Sequence, residues 1–210
     1  VKVLIACEFS GIVRTEFAKL GHDAWSCDLL PTELPGQHIQ GDVLDILNDG
    51  WDLMIAHPPC TYLSYVANRV WNKRGRKKKR EKALEFFMAL YNAPIDKICV
   101  ENPVGYVNTV FRKPDQIIRP YYFGDSDLKR TCLWLKGLPK LLHIKESDLF
   151  YEKTYTKKPE PLYLCQGEKS KGKKIYFTEG MKGFKNRAKA RSRSFQGIAK
   201  AMATQWGGKC

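Results

Sequence analysis

The sequence predicts an α/β fold: a mostly parallel sheet with an antiparallel hairpin at one edge and helices on both faces. Three observations carry that expectation. Compact apolar runs at 1–7, 53–56 and 97–100 are long enough for one buried strand and too short for a helix. Segments with apolar residues at helical spacing lie between and after them, as in strand-helix-strand units. Each run also stops at small, acidic or proline residues, the composition of the strand-to-helix turns where open α/β sheets bind ligands.

The first run, Val1 to Cys7, is followed by Glu8-Phe9-Ser10-Gly11 and then by Val13, Phe17, Ala18 and Leu20 at helical spacing, with Gly21 as a stop. Ser10-Gly11 would let a ligand approach the backbone at a helix amino terminus, although many such turns are ordinary connections. Residues 22–27 form a second strand ending at Asp28, and 39–43 a short third one ending at Asp42. A small turn and two acids at three successive strand ends is the layout of a site for a nucleoside-containing cofactor. Helix capping is the competing role for Asp28 and Asp42.

The fourth strand, 53–56, runs into His57-Pro58-Pro59-Cys60. Proline has no N–H to continue a ladder, so the strand ends there and the turn is stiffened, which would hold the Cys60 thiol in one place as a nucleophile requires. The plainer reading is a small apolar residue in a turn. The fifth strand repeats the design, with Glu101-Asn102-Pro103 at its end. If the two strands are parallel neighbours, a thiol and a carboxylate open into one crevice.

Between these strands stands Lys73-Arg74-Gly75-Arg76-Lys77-Lys78-Lys79-Arg80, leading into a helix with Ala83, Leu84, Phe87, Leu90 and Tyr91 on one face. A charge run is commonly a solvated face. Directly after the Cys60 loop, these seven cations are expected to grip phosphates. Residues 116–124 and 129–135 read as the edge hairpin. Residues 137–191, rich in lysine, glycine and proline with isolated aromatics, read as a basic, loop-rich insert facing nucleic acid, or as a loosely folded tail. Residues 194–206 form a terminal amphipathic helix stopped by Gly207-Gly208.

Length and 43% hydrophobic content suit a single domain, 1–210, with a sizeable core. The charge balance, 36 − 22 = +14, points to a polyanionic partner, most commonly nucleic acid. A membrane surface is disfavoured because no basic amphipathic helix with a large aromatic face is present. The seven cysteines include no Cys-x-x-Cys pair and no zinc spacing, so reduced thiols and no metal are expected. With no secretory leader or membrane-length apolar stretch, a soluble cytoplasmic protein is expected, with a monomer favoured.

Taken in chain order, Glu8-Phe-Ser-Gly11, Asp28, Gly41-Asp42-Val43, Pro58-Pro-Cys60, Glu101-Asn-Pro103 and the helix after Arg193-Ser194 resemble the cytosine-C5 DNA methyltransferases, in a compact form such as phage and prophage proteins have. The resemblance implies a Rossmann-like S-adenosylmethionine-dependent methyltransferase fold acting on double-stranded DNA in a bacterial or phage-infected cell. It implies Cys60, Glu101 and Arg130 as catalytic residues, Arg130 from the partial match Lys129-Arg130-Thr131. It further implies S-adenosyl-L-methionine as cofactor, held by Phe9, Ser10, Gly11, Asp28, Leu29, Asp42, Val43, Pro58 and Ser194. The chain departs from the family in having Ile12-Val13-Arg14 where a glycine pair is usual, and in lacking room for a large target-recognition domain.

Competing chemistries fit less well. Zinc cytidine deaminases need Pro-Cys-x-x-Cys, whereas Thr61-Tyr62-Leu63 follows Cys60. Amino-group methyltransferases place an aromatic after Pro-Pro, where this chain has Cys60. An RNA cytosine is the nearer rival substrate, and a non-catalytic nucleic-acid module on the same scaffold is the alternative without chemistry.

Overall fold

Strand β1, Lys2–Ala6, is the centre of the molecule: its last four residues are buried, as expected for a strand covered on both faces. The computed structural model describes residues 1–65, 75–143, 158–166, 171–176 and 187–208. Strands β2 (Asp23–Asp28), β3 (His38–Gln40), β4 (Leu53–Ala56), β5 (Lys97–Pro103), β6 (Gln116–Ile118) and β7 (Thr131–Lys136) complete a seven-stranded sheet in the order β3-β2-β1-β4-β5-β7-β6. The first five strands in that order are parallel, and β7 runs antiparallel to both β5 and β6. This is the Rossmann-like methyltransferase arrangement that the sequence predicts.

The two-residue period of the strands divides the core. Leu4, Ala6, Met54, Ala56, Ile98, Val100 and Trp134 point to one face, where helix α2 (Arg76–Tyr91) lays Phe87 and Leu90. Val3, Ile5, Ile55, Cys99, Leu133 and Leu135 point to the other, packed by α1 (Ile12–Lys19) and by the carboxyl-terminal helix. A one-turn helix α3, Val107–Val110, follows β5. Helix α4, Arg187–Ser192, precedes α5, Gln196–Trp206, whose Ile198, Ala199, Met202 and Trp206 are buried.

The edge differs from the hairpin read from sequence. Pro120 ends β6 at Ile118, and Tyr121, Tyr122 and Phe123 form a 3-10 turn instead of extended chain. That turn, with Asp125, is the seat of α5: the Asp125 carboxylate accepts the Gly197 N–H at 3.0 Å. Helix α5 therefore starts at Gln196, with Phe195 extended before it, two residues later than the periodicity suggests. Within the basic insert, strands β8 (Tyr163–Leu164) and β9 (Lys174–Ile175) pair as a short antiparallel ribbon, and 144–157, 167–170 and 177–186 lie outside the described residues.

Among the described residues no helix is long and apolar enough to cross a membrane. No group of three or more His, Cys, Asp or Glu is gathered there to hold a metal ion.

Candidate active site

The turn after β1 is built around a buried carboxylate. Cys7 adopts a left-handed conformation (φ 58°), which swings the chain out of the strand and sends Glu8 inward, where it is 3% exposed. Glu8 accepts the Ser10 hydroxyl at 2.9 Å, the Val13 N–H at 2.8 Å and the Arg14 N–H at 3.3 Å. It thereby fills the amino terminus of α1 with the chain's own negative charge. Dinucleotide-binding folds leave that position to a pyrophosphate. Here a phosphate would meet an anion.

Gly11 lies at φ 71°, and a Cβ there would stand 2.6 Å from the Arg14 guanidinium. That guanidinium is 1% exposed and donates to Ser26 Oγ at 3.1 Å and to the Leu34 and Pro35 carbonyls, each at 2.8 Å. Arg14 thus ties the β2–β3 connection to α1. Phe9 is buried beside it, with the Lys189 ammonium of α4 5.1 Å from its ring.

The next two strands are parallel to β1 and carry their acids to the same edge of the sheet. Asp28 accepts the Leu30 N–H at 2.9 Å, while Leu29 is 72% exposed. Asp42 accepts the Leu44 N–H at 3.0 Å and so caps the 3-10 turn Val43–Ile46, with Val43 buried beneath it. Both aspartates act on the thiols beneath them. Burial together with the charges of Asp28, Asp42 and Asp45 pushes the Cys27 thiol up to about 11, and burial, Asp28, Cys27 and Asp42 raise Cys7 as well. Glu8, Asp28 and Asp42 make this an acidic crevice without a phosphate seat. The donor set fits a nucleoside carrying positive charge and free ribose hydroxyls, which is the chemistry of S-adenosylmethionine.

Strands β4 and β5 pair in parallel through Ala56 and Val100, so the next residues on each, His57 and Glu101, meet at the sheet edge. His57 Nδ1 lies 3.1 Å from Glu101 Oε2. Burial disfavours both charges, but each group outweighs that for the other: the hydrogen bond and mutual attraction hold His57 above its ordinary value and Glu101 below the usual carboxylate range. The Glu8 charge also favours the imidazolium, and Lys129 favours the carboxylate.

Cys60 is exposed on the turn beyond Pro58, and that turn is fastened to the end of β5 at three points. Asn102 Nδ2 donates to the Pro58 carbonyl at 3.1 Å, the Tyr106 N–H donates to the Leu63 carbonyl at 2.7 Å, and Ser64 forms a bridge with Gly105. A Cβ on Gly105 would come within 2.0 Å of the Leu63 oxygen, so the close approach requires glycine there. The Leu63 and Ser64 N–H groups both donate to the Cys60 carbonyl, closing a tight turn around the thiol. The Cys60 loop and the Glu101 strand are one mechanical unit.

Other expected residues are distributed differently. Lys73 and Arg74 lie outside the described residues. Lys77, Lys78 and Lys79 are exposed on the first turn of α2, and Arg76 rests 5.1 Å over the Tyr62 ring. Arg80, one turn on, is not available to phosphates: it is 6% exposed, donates to the Tyr62 carbonyl at 3.0 Å and stacks 4.7 Å over the Tyr106 ring. Arg130 is exposed at the start of β7 and acts on the Cys132 thiol, whereas the neighbouring Lys129 is the cation felt by His57 and Glu101. Ser194 sits half-buried between α4 and α5. Those helices are tied to the β2–β3 connection through Arg193 and Lys189, which pair with Glu33 at 2.7 and 3.1 Å.

Two residues were not singled out in the sequence, His57 and Lys129. The signal for His57 was present, since it stands at the same strand end as Cys60. Its importance appears only when β4 and β5 are paired and Glu101 comes beside it.

No family model and no curated protein matches the chain. Solved structures similar to it include one described as a candidate DNA modification methyltransferase encoded within a prophage, from E. coli. That structure shares 14% identity at a TM-score of 0.43, over 63% of this chain and 45% of its own. The present chain therefore spans under half of that relative's length, and the fold assignment rests on the strand order and direction given above.

Proposed function

We propose that the chain is an S-adenosylmethionine-dependent DNA methyltransferase that forms 5-methylcytosine through a covalent adduct of Cys60. The observation that supports this reading is the fastening of the Cys60 turn, with its exposed thiol, to the end of β5, the strand that carries Glu101.

Cytosine C5 is a poor nucleophile until a thiolate adds at C6. Cys60 is the group for that addition, and the proline-stiffened, hydrogen-bonded turn supplies the fixed approach it needs. Glu101 holds the N3/N4 edge of the base, where negative charge develops. S-adenosylmethionine, when bound, supplies the electrophilic sulfonium methyl. Phe9, Ser10, Gly11, Asp28, Leu29, Asp42, Val43, Pro58 and Ser194 are the residues assigned to hold it. The cytosine is reached only after flipping out of the duplex, at a cost of a few kcal/mol.

The DNA side is supported by charge. Four cations, Arg76 to Lys79, occupy the first turn of α2 with no acid among them, although the helix dipole disfavours positive charge there. A polyanion lying beside the Cys60 loop removes that penalty. An open groove of about 510 Å³ between that loop and α2, lined by Pro59, Tyr62, Lys79 and Phe86, adjoins these cations.

The test is incubation with methyl-labelled S-adenosylmethionine and duplex DNA, followed by mapping of modified bases, with structured RNA as the parallel substrate. Duplex containing 5-fluorocytosine should trap the protein, because fluorine at C5 blocks the elimination that releases Cys60. Cys60→Ser should abolish trapping and turnover while still binding DNA. A product methylated on an exocyclic nitrogen, or turnover by Cys60→Ser near the wild-type rate, refutes the mechanism.

A further inference from the structure

We propose that His57 is a positioning residue for this reaction: it orients Glu101 toward the flipped cytosine and stores the proton that N3 takes up when Cys60 adds to C6. The inference rests on the cytosine-C5 reading above.

The geometry gives His57 a single engagement. Its Nδ1 meets Glu101 Oε2 at 3.1 Å, the two side chains are 13% and 18% exposed, and Nε2 is buried without a hydrogen-bond partner among the described residues. The His57 backbone is fixed to the sheet, since its N–H donates to the Ala6 carbonyl of β1 at 2.9 Å. With Oε2 engaged by the ring, Oε1 is the oxygen left for the base.

The charges around the pair decide where its proton sits. Glu101 approaches from β5, Glu8 from the turn after β1, and Lys129 from the β6–β7 connection. Glu101 and Glu8 favour an imidazolium at His57 and outweigh Lys129, which opposes it, while His57 and Lys129 both favour a carboxylate at Glu101. That arrangement solves a chemical problem. A carboxyl group whose titration is depressed is empty at neutral pH and has no proton of its own for N3.

The step balances with His57 as the source. The Cys60 thiolate forms the S–C6 bond, the C5–C6 π pair shifts toward C4, and the C4–N3 π pair moves onto N3. N3 takes a proton that leaves His57 Nδ1 and passes through the Glu101 carboxyl. His57 ends neutral, Glu101 ends as it began, and N3 ends protonated. When Cys60 is later eliminated the proton returns by the same route.

Single-turnover methylation of a cytosine duplex, followed across neutral pH at saturating S-adenosylmethionine, reads this directly. His57 titrates above its ordinary value, so its supply of the proton should be sustained below that point and fall about tenfold per pH unit above it, superimposed on the need for a Cys60 thiolate that wild type and His57 variants share. In His57→Asn the proton must come from Glu101 as an ordinary carboxylic acid, about 1 in 500 protonated at pH 7. The variant should lose about 10²–10³ in kcat at neutral pH and regain rate toward acid, with KM for DNA nearly unchanged. A variant whose rate is scaled down equally at every pH shows a merely structural ring and overturns the proposal.

Imidazole NMR supplies a measurement that needs no His57 variant, there being four histidines to assign. The His57 ring should be cationic at neutral pH in the wild type, and Glu101→Gln should lower its titration point. A ring neutral at pH 7 overturns the proposal. If wild-type protein is not trapped by 5-fluorocytosine duplex, the cytosine-C5 reading falls and this inference with it. Trapping combined with an unshifted pH profile in His57→Asn removes the inference alone.

Discussion

Replacing Asn102 by alanine tests the link between the Cys60 turn and the sheet. Asn102 is 2% exposed and its Nδ2 donates to the Pro58 carbonyl at 3.1 Å, while its Oδ1 is buried without a hydrogen-bond partner among the described residues. Truncation removes one neutral hydrogen bond, about 0.5–1.5 kcal/mol net, and strands the Pro58 oxygen, which alone can cost ~1–3 kcal/mol. Removing the unpartnered Oδ1 recovers part of that, so the expected loss is about 1–2 kcal/mol. For a chain of this size that lowers the melting midpoint by about 2–8 °C, measured by calorimetry with S-adenosylmethionine absent. The consequence for the reaction is larger than for the fold. Without the tether the turn can shift, and a displacement of about 1 Å at a nucleophile costs ~10²-fold in rate. Trapping by 5-fluorocytosine duplex should slow by that order while DNA affinity stays within about twofold, since Asn102 faces no phosphate. Asn102→Ala with wild-type trapping kinetics and a lowered midpoint would show that Asn102 stabilises the sheet without positioning Cys60.

Two further outcomes are expected. Asp28→Ala should weaken S-adenosylmethionine binding tenfold or more, the loss of a charge-assisted hydrogen bond of ~1.5–3 kcal/mol, and unchanged affinity by isothermal titration removes Asp28 from the cofactor site. Neutralising Lys77, Lys78 and Lys79 should flatten the slope of log K against log salt by roughly 0.9 per lost duplex contact. Arg80→Gln should leave that slope intact and lower stability instead, because its guanidinium is buried against Tyr62 and Tyr106.

Strands β1, β4 and β5 were legible in the sequence because burial on both faces makes them continuous apolar runs, bounded by residues that cannot extend a ladder. That alone brought Cys60 and Glu101 to one edge, since parallel strands present their carboxyl ends together. The position of β7 was not legible. It enters between β5 and β6 through long-range pairings, Glu101 with Leu133 and Gln116 with Leu133, that no local pattern announces. Arg80 was misread for a related reason. A run of like charges reads as one surface, but on a helix the residue four after Arg76 lies a turn further along, and here it lies against the Tyr62 carbonyl and the Tyr106 ring. Asp42 takes the capping role offered for it, accepting the Leu44 N–H, and its charge also reaches the Cys7 and Cys27 thiols.

The proposed choice of S-adenosylmethionine over a dinucleotide is supported most directly at Glu8. A parallel sheet and a small-residue turn after its first strand are common to folds that bind dinucleotides and folds that bind S-adenosylmethionine, and by themselves do not name the ligand. What distinguishes them is the amino terminus of α1. A pyrophosphate needs those N–H groups free and the dipole unopposed. In this chain Val13 and Arg14 donate to a carboxylate 3% exposed, so the anion position is already taken by Glu8. The same carboxylate lies close enough to His57 to favour its charge. One buried acid therefore acts in two directions, closing the first turn to phosphates and helping hold a proton at the end of β4. The turn after β1 and the His57–Glu101 pair are thus joined electrostatically through Glu8, where the proposed reaction would bring a methyl donor and a cytosine together.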